Sequence, residues 1–379
     1  MEWPKLAVER VRPSRFVPPF CPWQKCEAHR GPHPRFHRHG YYDRKSDAAR
    51  IPRYRCLACC RTCSRQTFST TYYLKRRELP APIAAGLVAC SAHRQLARSL
   101  GCAKTTVTRA AERLSRHALL LQSRALHHVE RLTEPIVHDH FEAFIHRQDQ
   151  AVGIGTAVGA RSWFVFDLDP APHRGAGRRP DRTGSARLEF RQEFAYARSI
   201  GRTLGRLAPL VTQDAPIRFV ADGRKAYRIA HARHPEGKRF VLETYKNPKR
   251  GPKGTPRSAD AIARDFAMFP ADQLHQMYRH TCADHKRETI AFGRRLESVL
   301  GRSFLMAVWK NFIKGRSERR PDRRTPAMML GLSDKRWSWE QVLRQRLFPT
   351  RAQVPHSWIT LYRRAWSRGL PRHTARHAY

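Results

Sequence analysis

Acid is what this sequence is short of. It carries 31 Asp and Glu against 73 Lys and Arg, a formal net charge of +42 over 379 residues. Such a surplus repels itself in a compact state and calls for a polyanion. No apolar run approaches the ~20 residues that span a bilayer, and no basic amphipathic helix stands out, so an anionic membrane is the weaker candidate. The opening stretch MEWPKLAVERVRP lacks the apolar core of a secretion signal. An intracellular protein is therefore expected, in which the nine cysteines serve as thiols or metal ligands rather than disulfides. Nucleic acid is the expected partner, because each neutralised phosphate releases counterion. A hydrophobic content of 41% is ordinary for a folded chain, and the length leaves room for two or three domains.

Six of the nine cysteines lie between Cys21 and Cys63. CPWQKC supplies Cys21 and Cys26, and CLAC supplies Cys56 and Cys59. Turn formers (Gly31, Pro32, Pro34, Gly40) and then RIPRYRC, a strand-like stretch, separate the pairs. Two short-spaced thiol pairs on separate turns suit one tetrahedral zinc ion with thiolate bonds of about 2.3 Å. Cys60 and Cys63 form a second Cys-x2-Cys pair, so the register of the second knuckle is open at this point. Cys56 and Cys59 are preferred because they follow the strand-like RYR directly. A closed four-thiolate site would be structural, holding a segment with little core of its own.

After ELPAP the pattern turns helical. Ile83, Leu87 and Cys90 share one face, Leu96 and Leu100 another, and Val107, Ala111 and Leu114 form the stripe of the next helix. Ala97, then Gly101, then Val107 follow the order a helix-turn-helix needs: a small residue at the contact, glycine in the turn, an apolar lock on the second helix. That leaves Thr105, Thr106, Thr108, Arg109, Glu112, Arg113 and Arg116 facing outward, suited to phosphates and major-groove edges. An ordinary helical bundle with a charged face is the plainer alternative.

In an acid-poor chain, carboxylates in apolar surroundings stand out. Asp139 closes the apolar stretch of EPIVHDHFEAF, and Asp222 ends PIRFVAD, a strand running into a helix. Between them, Val152–Val158 and Trp163–Leu168 read as two strands about a GAR turn, followed by a helix near Leu188–Leu207. KRFVLET reads as a further strand, and YKNPKRGPKGTPRSAD as a basic loop. DHKRETIAFGRRLESVLG reads as a helix with Phe292, Leu296, Val299, Leu300 and Ser303 on one stripe and Glu288 at its head. An inward carboxylate is costly unless paired or metal-bound. Arg295 lies on the same side and could hold a phosphate. Asp139, Asp222 and Glu288 would converge at one edge of a mixed sheet, where three oxygen donors suit one or two magnesium ions. Pairing of each acid with one of the many arginines is the alternative. Glu142, Asp167, Asp169 and Asp284 are rival positions.

Taken in order, RYRCLACCRTCSRQTFS, LARSLGCAKTTVTR, HDHFEAF, RFVADGRKAY, HKRETIAFGRRL and RTPAMMLGL resemble the DDE-type transposases of bacterial insertion sequences that carry an N-terminal zinc ribbon and helix-turn-helix. The likeness runs from about Cys21 to about Leu332. It implies an α/β fold, with a ribonuclease-H-like mixed-sheet catalytic domain over 131–335, a zinc ribbon over 1–75 and a helix-turn-helix domain over 76–130. A basic tail would occupy 336–379. It places the catalytic acids and magnesium ligands at Asp139, Asp222 and Glu288. It also implies a bacterial cytoplasmic setting, double-stranded DNA as element ends and target, and a homo-oligomer on DNA. Cys60 and Cys63 depart from the glycine and aromatic usual after the second knuckle. Basic loops at Lys246–Lys253 and Arg316–Arg324, with the chain after Arg363, would follow phosphates. A non-catalytic DNA-binding regulator or inactive remnant, and a nuclease that cuts without joining, are the competing expectations.

Overall fold

The computed structural model describes residues 16–145, 147–173, 185–248, 251–252, 254–286, 288–318 and 322–365. Parts of the two basic loops (249, 250, 253 and 319–321) and of the tail (366–379) fall outside the described residues.

The N-terminal module is a three-stranded antiparallel sheet, β1 (Phe36–Asp43), β2 (Arg50–Cys56) and β3 (Thr62–Ser64), in the order β1-β2-β3. β1 presents almost its whole length to solvent. The small core is aromatic: Phe16, Phe20, Tyr54 and Phe68 meet Phe348 from far along the chain. The rings pack edge-on or tilted, with Phe20 and Phe348 centroids 5.1 Å apart.

Helices α1 (Pro80–Leu87), α2 (His93–Ser99) and α3 (Lys104–His127) follow. Gly101 takes φ +54° in the α2–α3 turn, a conformation glycine adopts freely. Val107, Ala111 and Leu114 are buried, as their spacing requires. α3 then runs on beyond one domain's needs. From His117 to Ser123 it is buried all round, against α7 (Leu296–Val308). The approach is close, since a Cβ on Gly301 would meet Ser115. The second helix expected of a helix-turn-helix and the helix that scaffolds the core are therefore one continuous helix.

The central sheet has five strands in the order β6-β5-β4-β7-β8. β4 (Ile136–Ile145), β5 (Arg147–Gly159) and β6 (Val165–Pro172) pair antiparallel, while β7 (Ile217–Asp222) and β8 (Phe240–Tyr245) add parallel to β4. α4 (Ser185–Leu207) and α5 (Lys225–Arg233) cover one face. α6 (Ala259–Thr281), with Pro270 inside it, packs on β4, β5, β7 and β8 from the other face. Strand alternation sends Asp139 and Phe141 toward α6, and His138, His140 and Glu142 toward α4 and α5.

The region expected as a basic tail is built in as far as residue 365. Short helices α8 (Pro326–Met329), α9 (Trp339–Val342) and α10 (His356–Tyr362) bury Trp339 and Trp358, and Trp337 is buried between them. Trp358 Nε1 donates to Leu168 O (3.1 Å), Thr70 Oγ1 donates to Leu343 O (2.5 Å), and His29 Nε2 lies 2.9 Å from Thr350 Oγ1.

Candidate metal centre and acidic cleft

Cys21, Cys26, Cys56 and Cys59 bring four sulfurs within 4.8 Å of one another. Cys21 and Cys59 Sγ are 3.6 Å apart, and Cys26 and Cys56 Sγ 3.8 Å. A tetrahedron with metal–sulfur bonds of about 2.3 Å has edges of about 3.8 Å, so these spacings suit one metal ion. The backbone forms the knuckle: Cys60 N donates to Cys56 O (2.9 Å) and Cys56 N to Arg61 O (2.9 Å). Cys60 takes φ +59° there, where glycine would be easier. The second register is excluded by position. Cys60 is exposed, and Cys63 lies on β3 in the aromatic core, where burial pushes its thiol up to about 12.

Asp139 lies on β4 and Asp222 ends β7. The parallel register pairs Val137 with Val220 and His138 with Ala221, so the two aspartates stand one step beyond, on neighbouring strands about 4.8 Å apart. Asp139 Oδ1 accepts from His140 N (2.8 Å), and its Oδ2 lies 3.5 Å from His275 Nδ1 of α6. His275 Nε2 is in turn 2.8 Å from the Thr156 hydroxyl. Burial first, then the Asp222 charge, pushes the Asp139 carboxyl up to about 7, with a further push from Asp272. Asp222 Oδ1 accepts from Arg224 N (3.0 Å), and burial raises this carboxyl too.

A cleft of about 1290 Å³ opens over Asp139, floored by α6 through Arg264, Asp265, Asp272, His275 and Arg279. Asp272 is the functional candidate that sequence reasoning missed. It follows Arg264 by eight residues and is gripped by that guanidinium. The signal was present, since Asp272, His275 and Arg279 are spaced for one helix face.

Glu288 does not occupy its expected place. The helix begins only at Leu296, with Arg295 as its N-cap. Leu296, Val299, Leu300 and Ser303 do share the buried stripe, but Glu288 lies in the irregular stretch before it and is exposed. Arg295 therefore shares no helix face with Glu288. Among the rivals, Asp284 is buried, and Arg302 and His285 hold its carboxyl down to about 2 against the upward push of burial. Asp167 and Asp169 face α4 and are saturated by Arg206, Arg202 and Thr203. Glu142 accepts from the Tyr196 hydroxyl and the Gln192 amide. Each of these has partners of its own, as Asp272 has Arg264, but unlike Asp272 none of them lines the cleft over Asp139.

On the helical module, Thr105 and Arg109 are exposed as expected, and Thr106 is half-buried. Three expectations need correction. Thr108 spends its hydroxyl on Lys104 O (3.1 Å) and His93 (3.1 Å). Arg113 points back and donates to Thr70 O (3.0 Å) and Tyr72 O (2.7 Å), fastening the chain that leaves the cysteine module. Arg116 is drawn down beside Glu112 and Tyr362, and burial lowers its guanidinium. α3 is too deeply packed here to leave these side chains at the surface.

No family model matches this chain, and neither curated proteins nor solved structures give a match. Among the described residues no helix is long and apolar enough to cross a membrane.

Proposed function

We propose that the protein is a DNA-binding, metal-dependent phosphodiester-transfer enzyme of the DDE transposase type. The observation that carries this reading is the placement of Asp139 and Asp222 side by side on parallel strands β4 and β7, facing α6. The strand order β6-β5-β4-β7-β8, three antiparallel strands followed by two parallel ones, supports the expected ribonuclease-H-like sheet. In this reading Asp272 takes the third acid position in place of Glu288.

Carboxylates are the donors a hard cation takes, but among the described residues only the four cysteines stand close enough together to form a metal-ligating group, so the acids would have to draw together to share an ion. Burial, then the Asp222 charge, holds Asp139 toward its protonated form, and a cation bound there would relieve it. Asp139, Asp222 and Asp272 would hold magnesium, which when bound supplies an activated water and charge stabilisation at phosphorus. The chain's own residues do the rest. His275 orients Asp139, Arg264 orients Asp272, and Arg257 and Arg279 line the cleft to hold phosphate oxygens. The four-cysteine set holds a structural zinc ion in a ribbon whose exposed β1, with α3 at Arg109, meets duplex DNA. Transfer of an element's two ends to one target calls for two or more copies on DNA.

The test is magnesium-dependent nicking of supercoiled plasmid by the full chain. Asp139→Asn, Asp222→Asn and Asp272→Asn should each abolish nicking while keeping DNA binding, because such groups act on the transition state. Glu288→Gln should nick normally. Loss in Glu288→Gln with activity in Asp272→Asn would return the third role to Glu288. Binding without any nicking by the wild-type chain would leave a DNA-binding regulator.

A further inference from the structure

A strained turn lies beside the acidic cleft. Trp163, between β5 and β6, takes φ +61°, a left-handed conformation that bulky side chains avoid. The turn is clamped. Trp163 N donates to Gly159 O (3.0 Å), and Gly159 N donates to Phe164 O (2.9 Å). The buried Glu134 carboxylate accepts from Arg161 N (2.6 Å), Ser162 N (2.8 Å) and the Ser162 hydroxyl. A Cβ on Gly159 would collide with Glu134 and Ser162. Persistent strain of this kind clusters where a side chain has to be presented.

What the turn presents is an indole ringed by cations. The Trp163 ring centroid lies 4.9 Å from the Arg316 guanidinium carbon, 5.6 Å from Lys310 Nζ and 5.6 Å from the Phe269 ring. Lys310 comes from the π-helical turn Trp309–Ile313, and Lys314 follows directly. π turns are rare and concentrate at functional sites. This one is pinned by Asn311, whose Oδ1 accepts from Val165 N (2.9 Å) and whose Nδ2 donates to Gln122 Oε1 (3.1 Å).

Lys310 is the anomaly. The residue is only 4% exposed, and its ammonium faces the Trp163 ring. Burial, then Lys314 and Arg316, pulls it down to about 7. The nearby carboxylates are engaged elsewhere. Glu318 pairs with Lys314, and Asp322 sits 3.0 Å from Arg324 and 3.9 Å from Arg316. Arg316 Nε is buried there without a hydrogen-bond partner, and an anion arriving among these cations would offset the cost of burying them. Phe269, which touches Trp163, also lines the acidic cleft.

We propose that Lys310, Lys314 and Arg316, gathered around Trp163, form a phosphate site for a DNA strand leaving the cleft past Phe269. The proposal rests on the DNA reading above and adds a second, non-catalytic contact to it. The test measures binding of a fluorescein-labelled DNA duplex to the full chain over about 50–200 mM salt, without divalent metal. Lys310→Met should reduce the slope of log affinity against log salt by about 0.9, and Lys314→Met/Arg316→Met by about 1.8. Arg228→Met removes an exposed cation from α5 on the opposite face of the sheet and should leave the slope unchanged. Circular dichroism should show all three variants folded. Slopes equal to wild type in both corner variants, or an equal loss in Arg228→Met, would overturn the site while leaving DNA binding intact. A wild-type chain that does not bind the duplex would overturn the DNA reading and the site together.

Discussion

Replacing Asp139 by Asn should stabilise the metal-free protein, and the size of the effect follows from the cleft. The carboxyl sits at about 7 against a reference value of 3.8. A group raised on folding gives its full contribution below its unfolded value, near pH 4, and loses it as pH climbs through about 7. At roughly 1.4 kcal/mol per unit, three units come to about 4 kcal/mol above pH 7. The side chain is 18% exposed at the cleft, and solvent screening lowers this to about 2–3 kcal/mol. Asn keeps the acceptor for His140 N and carries no charge to desolvate. Urea unfolding in EDTA should therefore show Asp139→Asn more stable than wild type by about 2–3 kcal/mol at pH 8, with the gap closing by pH 4. Magnesium should recover the deficit in wild type and do nothing for the variant, because a ligand stabilises only the state that binds it. A variant no more stable at pH 8, or a gap independent of pH, would refute the account of Asp139 as an uncompensated buried carboxyl.

Two further outcomes test other parts of the molecule. The full chain should carry one zinc per copy, lost in Cys56→Ser and retained in Cys60→Ser; elemental analysis showing the opposite pattern would overturn the sulfur geometry. Arg206→Met should cost about 3–5 kcal/mol in urea unfolding, since it strands Asp167 and Asp169, both 0% exposed, without their shared guanidinium. A loss under about 1 kcal/mol would mean that Arg202 and Thr203 suffice.

The parts legible in the sequence were those with a strong local period or spacing. The two cysteine pairs, the Val107–Leu114 stripe and the strands carrying Asp139 and Asp222 all announce themselves within a few residues, although β4 runs on past Asp139 to Ile145 where the apolar stretch suggested an end. α6 did not, because Pro270 interrupts its interior and reads as a breaker, although Ser258 caps its first turn by accepting from Ala261 N (3.2 Å). The next apolar stripe in the sequence has Glu288 at its head, but the helix that carries the stripe starts only at Leu296. Arg113 shows a different limit. Its spacing marks it as off the buried stripe of α3, but only the tertiary arrangement shows that the chain at Thr70 and Tyr72 covers it. Charge concealed the role of residues 336–365 in the same way, despite tryptophans at 337, 339 and 358.

That last segment has a consequence for how the protein comes into being. It holds the cysteine module to the sheet through contacts of very long sequence separation: Thr350 reaches His29, Arg346 N donates to Phe68 O (2.9 Å), and Phe348 completes the aromatic core. The cysteines leave the ribosome hundreds of residues before the segment that clasps their module. At about 5–20 residues per second, that interval lasts on the order of tens of seconds. Through it the module can take up metal and meet Arg113 of α3, but it lacks every contact that this segment supplies. Commitment to the assembled form is therefore timed by the completion of synthesis, and a copy whose translation stops before Trp337 would carry the acidic cleft without a fixed module to aim it.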